Sequence, residues 1–269
     1  MISMAPKISI LMGIYNCAAT LPEAIDSILA QTCTDWELIL CDDGSKDDTY
    51  PVAEGYRQRF PDKIKLLKNP HNLGLNQTLN NCLEVAEGTY IARMDGDDIS
   101  VPERFQKELD FLESHPEFAV VSSAMIYFDQ DGDFRTGGCL TPQPQPAQLV
   151  HGTIHCHAPC MVRREVIRQV GGYTVDKKLL RVEDWHLWLK IYAAGYRGYN
   201  LSEPLYKMRD DRAAIGRRKF RFRLNEARVS LLAVKTFKLP FWKRIYALRP
   251  ILVGLLPLPV YKILHRNRG

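Results

Sequence analysis

The chain carries few of the marks of an exported or membrane-spanning protein. No basic-then-apolar segment follows Met1, and its seven cysteines, at positions 17, 33, 41, 82, 139, 156 and 160, include no Cys-x-x-Cys spacing. A cytoplasmic protein with free, buried thiols is therefore expected. A membrane span needs about 20 apolar residues; the uncharged run at residues 250–261 has 12, and three of them are proline. It should lie on a membrane or pack as a core, and not cross. No Gly-x-Gly-x-x-Gly follows the early strands, which argues against a dinucleotide fold of the dehydrogenase type. Acid is scarce at one end only: residues 212–269 hold 15 Lys and Arg against a single Glu226, whereas residues 1–211 hold 21 against 30. That asymmetry points to a tail that meets a polyanion, either nucleic acid or an anionic membrane surface.

What is present is a series of strand–loop–helix units. At 269 residues there is room for one large domain and an appendage. A buried-strand run at residues 7–14 precedes a helix opened by Thr20 and Pro22-Glu23, with Leu21, Ala24, Ile25, Ile28 and Leu29 on one face. A strand at 36–41 and a helix after Asp47-Asp48-Thr49 follow, then a strand at 64–67 and a helix through Leu79, Leu83 and Ala86 that Gly88 should stop. Beyond Pro102-Glu103 a helix carries Phe105, Leu109 and Leu112, and strands are predicted at 118–123 and 125–128. Asp129-Gln130-Asp131-Gly132-Asp133 lacks the remaining ligands of a calcium loop and is predicted as a hairpin turn. Residues 141–146, rich in proline, form a surface connector.

Chemistry gathers at the ends of these strands. The run Thr89-Tyr90-Ile91-Ala92-Arg93-Met94-Asp95-Gly96-Asp97-Asp98 ends in three carboxylates, where α/β sheets collect ligands. On extended backbone Asp95 and Asp97 face one way, and Gly96 lets a ligand approach the main chain. Such a pair suits a hard divalent cation, Mg²⁺ or Mn²⁺, carried by a diphosphate; the alternative is an acidic turn capping the next helix. Asp42-Asp43-Gly44-Ser45 places two more acids in the same crevice, or else forms a helix N-cap. His151, His155 and His157 crowd near Cys156 and Cys160, but no second cluster stands at zinc spacing, so a polar pocket is expected over a zinc site. Glu183-Asp184 open a helix with Trp185, Leu189 and Tyr192 as its stripe. They either cap that helix or present a general base.

In the tail, residues 215–237 place Phe220, Leu224, Ala227, Leu231 and Val234 at four-three spacing, with Arg217, Arg218, Arg221 and Arg228 elsewhere on the helix. After Pro240, aromatic residues, Leu and Lys/Arg together match an interfacial helix. The alternative is a helical subdomain packed on the body or on a second copy of the chain, a homo-oligomer.

Taken together, Ser9-Ile10-Leu11-Met12-Gly13-Ile14-Tyr15-Asn16, Asp42-Asp43-Gly44-Ser45, Asn72-Leu73-Gly74-Leu75, Arg93-Met94-Asp95-Gly96-Asp97-Asp98, Pro102-Glu103-Arg104, Arg163-Arg164 and Glu183-Asp184-Trp185 resemble the family 2 glycosyltransferases over residues 7–210. Gly13 departs from the pattern, since many relatives carry Thr or Pro there. The resemblance implies an α/β, GT-A type Rossmann-like mixed sheet flanked by helices, with a basic helical C-terminal extension. It implies a catalytic domain at 1–211, with the nucleotide-sugar half at about 1–100 and the acceptor half at about 101–211, and a tail at 212–269. It further implies an inverting, metal-dependent transfer from a nucleotide sugar; the expected donor is UDP-linked, and the basic tail makes a lipid-borne glycan acceptor at the cytoplasmic face of a membrane the expected partner. By the same match Asp184 is the base; Asp97 and Asp95 hold Mn²⁺ or Mg²⁺; Tyr15, Asn16, Asp42, Asp43, Asn72, Arg93 and Asp95 meet the donor; Glu183, Trp185 and His157 lie on the acceptor side. Two rivals are a sugar-phosphate nucleotidyltransferase, which would want a glycine-rich basic loop that residues 10–16 do not offer, and a polyanion-binding protein. The acidic body opposes nucleic acid as partner.

Overall fold

The computed structural model describes residues 5–139, 141–210 and 220–255. Four strands come first: β1 (Ile8–Ile14), β2 (Trp36–Asp42), β3 (Ile64–Lys68) and β4 (Tyr90–Arg93). The helices α1 (Leu21–Leu29), α2 (Thr49–Arg59) and α3 (Leu75–Glu84) join them. Parallel strands need such crossovers, and these four lie parallel in the order β3-β2-β1-β4. Because β2 flanks β1 on one side and β4 on the other, the loops leaving β1 and β4 diverge. The crevice between them is where open α/β sheets take ligands.

The second half adds β5 (Ile99–Ser100), α4 (Arg104–Ser114), β6 (Val120–Asp129), β7 (Gly132–Gly137), β8 (Cys160–Arg163), α5 (Arg164–Gln169), α6 (Glu183–Ala193) and β9 (Gly198–Arg209). Beyond β4 the sheet runs β8-β6-β9-β5, with β7 on β6. Strand β8 is antiparallel to both its neighbours, while β6 and β9 are parallel, so the sheet is mixed, as expected. Alternation sets the two cores. Ile8, Ile10, Met12 and Ile14 face α1, α2 and α4, whereas Leu11 and Ile39 face α3 and α6.

The structure corrects several local expectations. Residues 118–123 and 125–128 belong to one strand, β6, whose register against β9 shifts around Ala124 in place of a break. Helix α3 ends at Glu84, so Gly88 does not stop it. A Cβ on Gly88 would stand 2.4 Å from the Ser9 backbone nitrogen, and its own N–H donates to Ser9 Oγ at 2.8 Å. The turn at Asp129 is a hairpin, with Asp129 opposite Gly132. Gly13 also has a packing reason, because a Cβ there would lie 3.1 Å from Thr78 Cγ2 on α3.

The tail forms α7 (Phe220–Thr236), a 3-10 turn (Phe241–Ala247) and α8 (Leu248–Leu255). The predicted stripe of α7 holds in part, since Ala227 and Val234 are buried, but the buried face is rotated away from its other members. Phe220 and Leu231 are 42% and 43% exposed, while Val229 and Ala233 join Leu149 and Trp185 in the second core. Polar groups decide the rotation: Ser230 Oγ donates to the Val150 carbonyl at 2.7 Å and Asn225 Nδ2 to the Leu180 carbonyl at 3.0 Å. Those side chains satisfy carbonyls that apolar residues would leave bare. Residues 215–219, with Arg217 and Arg218, and the run beyond Leu255 lie outside the described residues. Among the described residues no helix is long and apolar enough to cross a membrane.

Candidate active site

Strand β4 is buried along its length and delivers Asp95 to Asp98 into the crevice beside β1. The carboxylates converge through a tight turn, not through strand alternation, since β4 ends at Arg93. Asp95, Asp97 and Asp98 each offer an oxygen within 4.8 Å of the others. The missing Gly96 side chain makes room for protein and not for a ligand: a Cβ there would meet Cys17 Sγ at 3.0 Å and Ile14 Cγ2 at 3.2 Å.

The three acids are held differently. Arg93 grips Asp95 with two bonds of 2.6 and 2.5 Å. Burial opposes the Arg93 charge, and the adjacent Asp95 carboxylate outweighs it, raising the guanidinium pKa. Asp98 is buried, accepts from Tyr206 Oη at 2.8 Å and from the Arg209 N–H at 2.7 Å, and is pushed up to about 8 by burial and then by the charges of Asp95 and Asp97. Asp97 is exposed, and its pKa is raised by desolvation and by Asp95. Its backbone carbonyl takes Arg209 Nε at 2.9 Å, which fixes the turn while the side chain faces solvent. Crowded acids of this kind repel one another unless a cation sits between them, and oxygen ligands suit Mg²⁺ or Mn²⁺. The donor set therefore fits such an ion, with Asp97 the most available ligand.

Beside this turn, the loops after β1, β2 and β3 form a cleft of about 320 Å³ that Tyr15, Asp43, Asn72 and Glu183 line. Asp43 organises its floor. It accepts from Asn69 Nδ2 and the Leu73 N–H at 2.8 Å each and from the Gly74 N–H at 2.9 Å. Asp42 and Asn16 are engaged elsewhere: Asp42 is fully buried with both oxygens on the Ser45 N–H, and Asn16 Oδ1 accepts from the Lys46 N–H at 2.8 Å. Asp42 shapes its loop from behind, while Asn16 is exposed and ties the first loop to the second. The capping alternative for residues 42–49 thus holds in part, since Asp47 Oδ1 accepts from Thr49 at both N–H and hydroxyl.

Glu183 and Asp184 open α6, but the two acids face different spaces. Glu183 lines the cleft beside Tyr15 and Asp43, and Asp184 lines a second cavity of about 330 Å³ with Thr153 and Trp185. Burial raises the Asp184 pKa, and hydrogen bonds from the Trp185 backbone and Thr153 offset part of that rise. A carboxylate so placed is a stronger proton acceptor than a solvated one. Trp185 is buried and donates to the Leu149 carbonyl at 2.7 Å. His157 bonds Tyr173 Oη at 2.8 Å, and burial pulls its pKa well down, so it is neutral. The histidines do not converge: His155 is buried between Asn200 and Tyr192, and His151 stands against Tyr246. Among the described residues the acidic turn is the one cluster able to hold a metal, and the seven cysteines are free thiols.

Sequence reasoning overlooked β9 and with it Tyr206 and Arg209. The alternation in Leu205-Tyr206-Lys207-Met208-Arg209 was a usable strand signal. Arg104 was named within a motif but given no role; it is fully buried, and its guanidinium donates to the carbonyls of Arg93, Ala158 and Cys160 and so ties β4 to β8 behind the site.

A mixed sheet with a carboxylate turn at its reversal of strand order is the architecture of the GT-A glycosyltransferases. A family model described as Glycosyl transferase family 2 matches residues 9–171, and the chain belongs to that family. It is 43% identical to the putative glycosyltransferase EpsE of Bacillus subtilis strain 168, over 98% of this chain and 94% of that one. It is 29% identical to the Escherichia coli UDP-Glc:alpha-D-GlcNAc-diphosphoundecaprenol beta-1,3-glucosyltransferase WfaP, over 75% of this chain and 77% of that one. Among solved structures, the mannosyltransferase PcManGT of Pyrobaculum calidifontis, in complex with GDP-Man and Mn²⁺, shares the fold with a TM-score of 0.63. At 17% identity it covers 99% of this chain and 80% of that one. Family membership decides for a glycosyltransferase over the nucleotidyltransferase and polyanion-binding readings.

Proposed function

We propose that the protein transfers a sugar, with inversion, from a UDP-sugar to a hydroxyl of a lipid-linked glycan acceptor, in surface-polysaccharide or lipid-linked oligosaccharide assembly. The observation that carries this reading is the separation of the acids: the acidic turn packs at Gly96 against Ile14, which lines the first cleft with Tyr15 and Asp43, while Asp184 opens on a cavity of its own. The similarity to WfaP, named for a UDP-Glc donor and a diphosphoundecaprenol-linked acceptor, supports the choice of substrates.

In this reading Tyr15, Asp43 and Asn72 hold the nucleoside. Asp97 and Asp95 would hold Mn²⁺ or Mg²⁺, which when bound supplies positive charge for the departing diphosphate. Arg93, on the donor side, fixes the Asp95 carboxylate with its two bonds. Asp184 accepts the proton of the acceptor hydroxyl as that oxygen attacks the anomeric carbon from the face opposite the leaving group. One displacement inverts the centre, and no covalent intermediate is needed. Trp185, Glu183 and His157 shape the space around the acceptor.

The tail is proposed to hold the protein at the cytoplasmic face of an anionic membrane. Phe241, Trp242, Ile245, Leu248, Leu252 and Leu255 are all more than half exposed on the 3-10 turn and α8, with Lys243, Arg244 and Arg249 among them. Aromatic and aliphatic side chains flanked by cations suit the interface.

The test is a panel of UDP- and GDP-sugars with purified protein and Mn²⁺ or Mg²⁺, reading nucleoside diphosphate release. Release from a UDP-sugar that chelator abolishes and metal restores is expected. Undiminished release in chelator would overturn the metal's part, and binding without turnover of any donor would overturn the reaction.

A further inference from the structure

The cavity that holds Asp184 is not closed by the catalytic sheet alone. His151, Thr153 and Asp184 form one wall, and Arg223 of α7, Tyr246 of the 3-10 turn and Arg249 of α8 form the other. Arg181 lies at the edge and lines the donor-side cleft as well. Its φ of 68° is uncommon for a side-chain-bearing residue, and strain of this kind collects where geometry serves a site.

Charge in this cavity is unbalanced. Arg223 is 9% exposed and pinned by Glu226 at 2.9 and 3.0 Å. Helix α8 presses close to it, since a Cβ on Gly254 would stand 2.8 Å from Arg223 Cγ. Arg181 and Arg249 have no ion-pair partner among the described residues. His151, edge-on to Tyr246 at 4.3 Å, has its pKa lowered by partial desolvation and by the charges of Lys243 and Arg249. Three guanidinium groups thus gather around a cavity whose acids are Asp184 and Glu226. The segment that contributes two of them also presents the exposed apolar side chains.

Resting on the function proposed above, we infer that this cavity is the acceptor subsite. Arg181, Arg223 and Arg249 bind the diphosphate ester that joins the acceptor saccharide to an apolar carrier, and the C-terminal segment therefore selects the acceptor. Guanidinium forks match phosphate oxygens two at a time. With the diphosphate among the arginines, the saccharide lies between Asp184 and Tyr246, and the carrier leaves along Trp242 and Ile245.

Two probes test this on the full-length protein: an undecyl diphosphate bearing one N-acetylglucosamine, and the neutral undecyl glycoside of the same sugar. Binding is measured by calorimetry in chelator, so that no cation on the acidic turn recruits the diphosphate. The diphosphate probe should bind at least about tenfold more tightly, as expected when a charged hydrogen-bond partner is gained. Arg249→Ala should remove most of that preference, Arg249→Glu should reverse it, and neither should change UDP affinity in metal. Arg223→Lys, which keeps the Glu226 pair, should retain part of it. Equal affinities for the two probes, or a preference that survives Arg181→Ala combined with Arg249→Ala, would overturn the subsite. Donor turnover separates the two failures. Turnover with equal probe affinities sinks the subsite alone, and a preference lost on Arg249→Ala without turnover of any donor sinks the transferase reading and leaves the anion site standing.

Discussion

Asp97 and Asp98 are neighbours in sequence and opposite in circumstance. Asp98 is buried and spends its oxygens on Tyr206 and the Arg209 backbone, so it builds the turn. Asp97 faces outward, which makes it the residue whose loss should be specific. Asp97→Asn is expected to abolish transfer while leaving the melting temperature within about 2 °C, because an exposed substitution costs little; circular dichroism and donor turnover check this together. Asp184→Asn should lower kcat by roughly 10²–10⁴-fold while donor affinity stays within a few-fold, and a variant that raised only the donor KM would remove Asp184 from the role of base. The base acts ionised, and burial raises its pKa above the ordinary 3.8. The acid limb of kcat should therefore fall at a pH above 3.8, with activity lost as pH drops through it, and the residual rate of Asp184→Asn should lack that limb.

At the scale of the element, the tight joints carry the stability predictions. Gly88 abuts the Ser9 backbone at the start of β1, so Gly88→Ala forces the β1 and β4 backbones apart. Overpacking of this kind costs about 1–3 kcal/mol, which urea unfolding would register as a lower midpoint. Gly171 offers a control, because nothing lies within 4 Å of a Cβ there and only its φ of 75° opposes the change. A smaller loss is expected, and equal losses would show that the β1 contact does not set the cost. Strand β9 illustrates why some elements were hard to see. Its middle, Ser202-Glu203-Pro204, breaks the apolar alternation, and the strand survives because its register against β6 shifts there. Helix α7 shows the converse: a four-three apolar stripe was visible in sequence, yet Asn225 and Ser230 turned the helix toward carbonyls of the body.

For the whole molecule, the tail and body cannot be treated as separable. Val229 and Ala233 complete the core around Trp185, so deleting everything after residue 211 would uncover apolar surface beside Asp184 as well as remove the proposed anchor. Membrane binding is better tested by Trp242→Ser with Ile245→Ser and Leu252→Ser, all of them exposed in the structure. The unaltered protein is expected to sediment with vesicles containing anionic lipid, and high salt should weaken this only in part. The triple substitution should leave only a salt-sensitive remainder. Release of the unaltered protein by salt alone would mean that the apolar face plays no part.

The sequence by itself determined the parallel βα half and its order of motifs, the family, the acidic turn and the acid pair on α6. Those rest on local patterns: apolar periodicity, helix openings, and carboxylates placed at strand ends. It also determined the charge asymmetry of the tail. Only the tertiary structure decided which acids are available, because Asp97 and Asp98 differ in burial, and Asp42 and Asp43 in their hydrogen-bond partners and in the space they line, and not in composition. It alone brought Tyr206 and Arg209 from β9 onto the turn at Asp95–Asp98, more than a hundred residues away. And it set Arg223, Tyr246 and Arg249 across from Asp184, because the face a helix buries depends on which carbonyls wait on the surface it meets.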